Sequence, residues 1–293
     1  MPKKKNRISK TEMNMLQNKI DEILDNLRKH NKILVAMSGG IDSSLVALLA
    51  KKAVGKNAMA VTVDSIALPS EEIEDAKRIS KKIGIKHIIL NMDKIPNLIF
   101  SQNPPDRCYY CKKTIIKKLK QIAKKHDMKI IADGTNLDDL KTHRPGALAL
   151  SEEKIVSPLA EAGLTKKDIR EISKIFNLPN VEKPSMACLL SRFPYGQKIT
   201  KEKIHRVAEA EKFIRKNLDA KEIRVRYHED IARIELGRIE RKLIFDEKKM
   251  DIIYKKLKEL GFNYITIDLL GYRSGSLDET LKRKIIPNKL NKY

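Results

Sequence analysis

Tryptophan is absent from this 293-residue chain, and aromatic residues make up only 5% of it. Any core must therefore be mainly aliphatic. Cysteine occurs only at Cys108, Cys111 and Cys188. So small and odd a number argues against a disulfide framework and leaves metal binding or catalysis. No apolar run approaches the roughly 18 residues that a membrane helix needs. The basic opening MPKKKNRISKTEM is followed by no apolar stretch, so it does not read as a secretory signal. These absences point to a cytoplasmic protein with no membrane partner. Acidic side chains are also scarce, 38 against 61 Lys and Arg, for a net charge of +23. Such a field draws polyanions or anionic small molecules. It fits a lysine-rich surface equally well, so charge alone does not establish nucleic-acid binding.

What is present has a clear rhythm. Thr11 to Arg28 carries apolar residues at helical spacing. KILVAM, AMAVTVDS, KHIILNMD and KIIADGTN then read as strands, each of the first three followed by a helical stretch. Strands alternating with helices predict an α/β fold, a parallel sheet with helices on both faces. Ligands of such sheets sit at the carboxyl ends of the strands. The SGG turn, Asp64-Ser65 and DGTNLDD all fall at such ends. Later, Thr165 reads as a helix N-cap, with Asp168 three residues on. We place a domain boundary near Gly196, giving a first domain over 1–196 and a small α+β domain over 197–293. In the second, EIRVRYHEDIARIEL reads as two strands around a short turn, and YITIDLL as another. The Lys-rich tail reads as disordered.

LVAMSGGIDSSLVALLAKKA runs from a strand into a helix through small residues. Gly39 and Gly40 let backbone N–H groups approach an oxyanion without interference from a Cβ, and Ala36 is a further candidate for the ATP site. The helix N-terminus adds partial positive charge. Ser38, Ser43 and Ser44 can donate to phosphate oxygens. Asp42 suits a Mg²⁺ that neutralises pyrophosphate. The stretch lacks the G-K-[ST] ending of a Walker A loop and is not G-x-G-x-x-G. SGGIDSS resembles the SGGxDS signature of the PP-loop ATP pyrophosphatases, the adenine nucleotide α-hydrolase-like fold. That resemblance implies cleavage of ATP between its α and β phosphates. It also places Asp64 and Ser65 at the adenine and ribose, and Gly134 and Thr135 beside the nucleotide. Asp133 and Asp138 are further candidates for Mg²⁺.

DRCYYCKK sets Cys108 and Cys111 at C-x-x-C spacing at a helix start, where thiols are good metal ligands. Cys188 lies in SMACLLSRFPYG. Zinc would want a fourth ligand, for which His126 and His143 are the candidates. Three thiolates can instead hold three irons of a [4Fe–4S] cluster and leave the fourth open to sulfide. A redox pair and three unrelated thiols remain alternatives.

SGGIDSS, NPPDRCYYCKK, ADGTNLDD, HRPGALAL, SPLAEAGLTKKDIRE, KPSMACLLSRFPYGQKIT, RVRYHEDIARIEL and GFNYITIDLLGYRSGS occur in that order. Together they resemble the LarE family of ATP-dependent sulfur transferases, over residues 10 to 278. The resemblance implies that ATP adenylates a carboxylate of a pyridinium mononucleotide bearing two carboxylates. Sulfur then displaces AMP to give a thiocarboxylate. Some relatives give up the sulfur of a cysteine like Cys188; the added Cys108 and Cys111 resemble members that carry a [4Fe–4S] cluster and take sulfur from a donor. Arg224 and Arg226 are similar to family arginines that bind substrate phosphate. Arg192 is a weaker candidate for phosphate or carboxylate in catalysis, and Arg144 weaker still. The resemblance also suggests a homo-oligomer. A PP-loop tRNA thiolase is the runner-up, and only that reading brings tRNA in as a partner. A non-enzymatic sulfur carrier is a third possibility.

Overall fold

The structure, a computed structural model, describes residues 9–92, 99, 102–141, 145–184 and 186–279. His143, Arg144 and the tail expected to be disordered lie outside the described residues. The chain forms two units. One comprises residues 1–65, 70–96 and 106–185, and the other 66–69, 97–105 and 186–293. Among the described residues no helix is long and apolar enough to cross a membrane.

The first unit is built on four parallel strands: β1 (Ile33–Ala36), β2 (Ala58–Asp64), β3 (Lys86–Asn91) and β4 (Ile130–Ala132), in the order β3-β2-β1-β4. Its helices are α1 (Lys10–Arg28), α2 (Ile41–Val54), α3 (Ser70–Ile83), α4 (Arg107–Lys125), α5 (Leu137–Leu140), α6 (Pro145–Glu152), α7 (Pro158–Glu161) and α8 (Lys166–Ile175). Side chains alternate across a strand, and β1 is apolar on both faces. Ile33 and Val35 join Leu16, Ile20 and Ile23 of α1, Leu45 and Leu49 of α2, and Ile169 and Ile172 of α8. Leu34 faces the other way, into a cluster with Met59, Val61, Ile131 and Leu119 of α4. A strand buried on both sides explains why KILVAM has no polar alternation. Each large aliphatic buried in this way is worth about 1.5–3 kcal/mol. The parallel order brings the ends of β1, β2 and β4 to one edge of the sheet, as the strand–helix alternation predicts.

In the second unit β5 (Ile223–His228) and β6 (Ile231–Leu236) form an antiparallel hairpin, and β7 (Tyr264–Ile267) lies parallel to β6. Helices α9 (Lys201–Leu218) and α10 (Glu247–Glu259) complete it. Tyr227 sits between Phe193 and Phe262, at centroid distances of 5.3 and 5.7 Å.

The division differs from the boundary expected near Gly196. Residues from Met186 onward belong with the second unit, together with two segments of the first half. Local hydrogen bonds give the reason. Leu189 N–H donates to the Ala67 carbonyl at 2.8 Å, and buried Asn103 Nδ2 donates to the Pro194 carbonyl at 2.7 Å. Nothing in the composition of 66–69 or 97–105 marks them as parts of another unit.

Candidate active site

The turn after β1 explains its own residues. Gly39 has φ +82°, and a Cβ there would lie 2.9 Å from the Glu72 carbonyl oxygen of α3. Glycine is required both for the backbone and for the close approach. Gly40 caps α2 with no side-chain hydrogen bond, which leaves that helix end to a ligand. Ser43 Oγ accepts from Ser38 N–H at 3.0 Å and lies 3.0 Å from Ser38 Oγ. Ser44 Oγ donates to the Gly40 carbonyl at 2.8 Å. Ser38 is exposed while Ser43 and Ser44 are buried, so Ser38 is the hydroxyl presented outward. Ala36 closes β1 half-buried beneath the turn.

Four residues that the sequence does not single out form the network that holds this turn. Asn180 Nδ2 donates to the Gly39 carbonyl and to Ser44 Oγ, each at 3.0 Å. Thr62 Oγ1 donates to the Met37 carbonyl at 2.6 Å and lies 2.7 Å from His87 Nε2. The single threonine proton is committed to Met37, so His87 Nε2–H donates to Thr62. Ser80 Oγ lies 3.0 Å from Nδ1 and donates to the Lys77 carbonyl at 2.9 Å. Burial, and secondarily the charge of Lys77, hold the His87 pKa below the usual histidine range. These residues lie on β2, α3, β3 and after α8, so only the fold assembles them.

Asp42 stands in the first turn of α2. Its Oδ2 pairs with the Lys166 ammonium, while its Oδ1 is buried with no hydrogen-bond partner. A carboxylate with one orphaned oxygen at a phosphate turn fits a divalent cation. Gly134 packs so closely on α2 that a Cβ would meet Ser43 N at 2.6 Å, bringing the β4 loop onto the same turn. Asp133 is spent on that loop: it accepts from Thr135 N–H (3.1 Å), Thr135 Oγ1 (2.7 Å) and Ser157 Oγ (2.8 Å). Asp138 accepts from Lys166 N–H at 2.9 Å, which lowers its pKa. Thr165 and Asp168 form the reciprocal cap that their spacing predicts. Asp64 and Ser65 are half-buried at the end of β2, and the Asp64 carbonyl accepts from Met92 N–H at 2.7 Å.

Cys108 and Cys111 lie one turn apart at the start of α4, the first exposed and the second half-buried. His126 follows the far end of α4, about 22 Å from Cys111 along a helix rising 1.5 Å per residue. It is therefore no fourth ligand to that pair. Among the described residues no group of three or more His, Cys, Asp or Glu gathers as a metal site.

In the second unit Cys188 precedes a short 3-10 turn, Leu189–Arg192. Arg192 is fully buried. Its Nε and Nη2 fork onto Glu211 at 2.7 and 2.9 Å, and its Nη1 donates to the Ala187 and Cys188 carbonyls at 3.1 and 3.3 Å. These bonds tie Arg192, which the sequence offers as a catalytic candidate, to the backbone of the cysteine loop. Arg224 and Arg226 are buried as well. Arg224 stacks 4.7 Å from the Tyr272 ring. Burial first, and then the charge of Arg192, press its pKa below the usual arginine range. Arg226 donates to the Ser191 carbonyl (2.8 Å), Glu235 (2.7 Å) and Ser276 (3.0 Å), yet its buried Nε has no partner. Two buried carboxylates, Glu211 and Glu235, pair with Arg192 and Arg226 respectively.

A family profile described as NAD synthase matches residues 10–125. The chain is 38% identical over 269 residues to protein slr1717 of Synechocystis sp., covering 92% of this chain and all of that one. It is 36% identical over 260 residues to pyridinium-3,5-bisthiocarboxylic acid mononucleotide synthase of Lactiplantibacillus plantarum, covering 88% and 92% of the two. Similarity to the glutamine-hydrolysing GMP synthase of Thermosipho africanus, 29% over 202 residues, spans 59% of this chain and 39% of that protein. Likeness along nearly the whole of the first two of these proteins, added to the turn geometry, makes this chain a PP-loop enzyme of the LarE family of ATP-dependent sulfurtransferases.

Proposed function

We propose that this enzyme converts a carboxylate of a pyridinium dicarboxylate mononucleotide to a thiocarboxylate. The 36% identity over 88% of the chain to a synthase of the bisthiocarboxylic acid mononucleotide carries the reading. The chemistry is that of activating a poor electrophile. A substrate carboxylate oxygen attacks the α-phosphorus of ATP, the bond to the β-phosphate oxygen breaks, and pyrophosphate departs. Sulfur then attacks the acyl carbon and expels AMP. The Gly39–Gly40 turn, Ser38 and the N-terminus of α2 bind the phosphates. Asp42 would hold Mg²⁺, which supplies charge neutralisation at the departing pyrophosphate. Ala36, Ser43, Ser44, Asp64, Ser65, Gly134 and Thr135 complete the nucleotide site. Arg224 and Arg226 receive the substrate phosphate, a role supported by the unpaired Nε of Arg226.

For the sulfur, we infer a [4Fe–4S] cluster on Cys108, Cys111 and Cys188. This rests on the number and chemistry of the thiols. Incubation with ATP, substrate and sulfide, followed by mass spectrometry of product and protein, tests the reading. Repeated turnover with intact Cys188 supports an external donor. One product per chain, with Cys188 converted to dehydroalanine, would show that Cys188 is the source. Specific tRNA thiolation without reaction of the mononucleotide would favour the runner-up. We also infer a homo-oligomer, supported by the exposed Ile239, Phe245, Leu269 and Leu270 of the second unit; light scattering on the purified protein tests it.

A further inference from the structure

Asn180 is 2% exposed and grips the phosphate turn from its buried side. Its Nδ2 donates one proton to the Gly39 carbonyl and the other to Ser44 Oγ, each at 3.0 Å. Ser44 Oγ hands the constraint on, since its single proton goes to the Gly40 carbonyl at 2.8 Å. Both glycine carbonyls are thereby held inward. In a trans peptide the carbonyl and the following N–H point in opposite directions. The Gly40 N–H therefore faces outward, on the side of exposed Ser38, to whose Oγ it donates at 3.3 Å. The Ile41 N–H points out of the start of α2, among the donors that a helix end leaves without an intrahelical partner. Asn180 is itself fixed. Its carbonyl accepts from Lys183 N–H at 3.1 Å, and the Lys183 ammonium lies 2.6 and 2.7 Å from Glu72 and Asp75 of α3. The Glu72 carbonyl is the group that closes on Gly39, so the bracket returns to the turn where it began.

We propose that Asn180 is a positioning residue for ATP cleavage: it fixes the two peptide planes that follow Gly39 and Gly40, so that their N–H groups are set for the pyrophosphate half of ATP before the nucleotide arrives. The inference rests on the PP-loop reading of the turn. Two successive glycines have no side chains to restrain their backbone. Without a bracket, ordering them would subtract from the affinity for phosphate. A primary amide suits the task, because two protons diverge from one nitrogen; a carboxylate of the same shape has none to give. Asn180 Oδ1 is buried with no hydrogen-bond partner among the described residues. That penalty is one a purely space-filling residue would avoid. Donors held in place in advance act where charge develops, here on the pyrophosphate oxygens as the α–β bond breaks. Ser44 serves the site from behind the turn, with its proton committed to Gly40.

Calorimetry on the full chain tests this by comparing Mg-pyrophosphate with AMP, which lacks the β- and γ-phosphates. Asn180→Ala and the isosteric Asn180→Asp are each expected to bind Mg-pyrophosphate at least tenfold more weakly, with AMP affinity changed less than threefold. Asn180→Asp should do no better than Asn180→Ala although it fills the same space, because it brings no donor. Ser44→Ala breaks one arm of the bracket and should weaken pyrophosphate by a smaller factor. Circular dichroism melting identifies the variants that fold, and Ser44→Ala carries the test where neither Asn180 variant does. Wild-type pyrophosphate affinity in a folded variant overturns the proposal. So does an equal loss for AMP and pyrophosphate, the mark of a residue that supports only the fold. If Asp42→Asn also leaves Mg-pyrophosphate affinity intact, the PP-loop reading of the turn fails and the proposal with it. Loss in Asp42→Asn with none in the Asn180 variants sinks the proposal alone.

Discussion

The guanidinium of Arg192 and the carboxylate of Glu211 meet at two points, 2.7 and 2.9 Å, with neither side chain open to solvent. Glu211 Oε1 also accepts from Val225 N–H at 2.9 Å, so one acid ties the cysteine loop to strand β5 between Arg224 and Arg226. Removing one partner strands a buried charge. Glu211→Ala is expected to destabilise the protein by about 3–5 kcal/mol in urea unfolding. Replacing both partners, with Arg192→Met and Glu211→Met, should cost less than the sum of the two single changes. Additive losses would show that the pair is not the anchor.

Gly39→Ala combines a positive φ with a contact too close for a Cβ. It is expected to cost about 1–3 kcal/mol and to raise the ATP KM at least tenfold, since relief must come from moving the turn or α3. Wild-type ATP binding in a folded Gly39→Ala protein would mean that the turn is not where phosphate docks.

Arg226→Lys keeps the charge and loses the planar fork and the Nε donor. The expected result is a KM for the mononucleotide raised more than tenfold with the ATP KM nearly unchanged. Equal changes in both would place the substrate phosphate elsewhere.

His87 is held below the usual histidine pKa by burial, and His228 likewise, by burial and then the charge of Arg233. As pH falls through about 6.5, the unfolded chain takes up protons that the native state refuses. Stability therefore drops with falling pH in that window and flattens only below the folded pKa values. His87→Gln, which retains a donor toward Thr62, should reduce the slope of the urea midpoint between pH 7 and 5.5. An unchanged slope would contradict the neutral ring.

Much of the phosphate site was legible in the sequence because its chemistry is local. One strand, one small-residue turn and one helix start lie within a single stretch, and Thr165 with Asp168 is a three-residue cap. Lys166 was not legible, since in AGLTKKD it reads only as another basic residue near a helix start, and its partner Asp42 is 124 residues away. Asn180 and His87 were hidden for the same reason. From sequence the arginines of β5 leave a solvated basic face open as the alternative; only the opposing Glu235, Tyr272 and Ser276 show them buried. The unit boundary was displaced because backbone hydrogen bonds between distant loops leave no trace in composition.

The central claim is that ATP activates a substrate carboxylate, and an isotope label tests it most directly. With the mononucleotide carboxylates enriched in ¹⁸O, one carboxylate oxygen must leave on AMP when sulfur enters. The account predicts AMP bearing a single ¹⁸O for each thiocarboxylate formed, with both products lost in Asp42→Asn. Unlabelled AMP accompanying thiocarboxylate would contradict it.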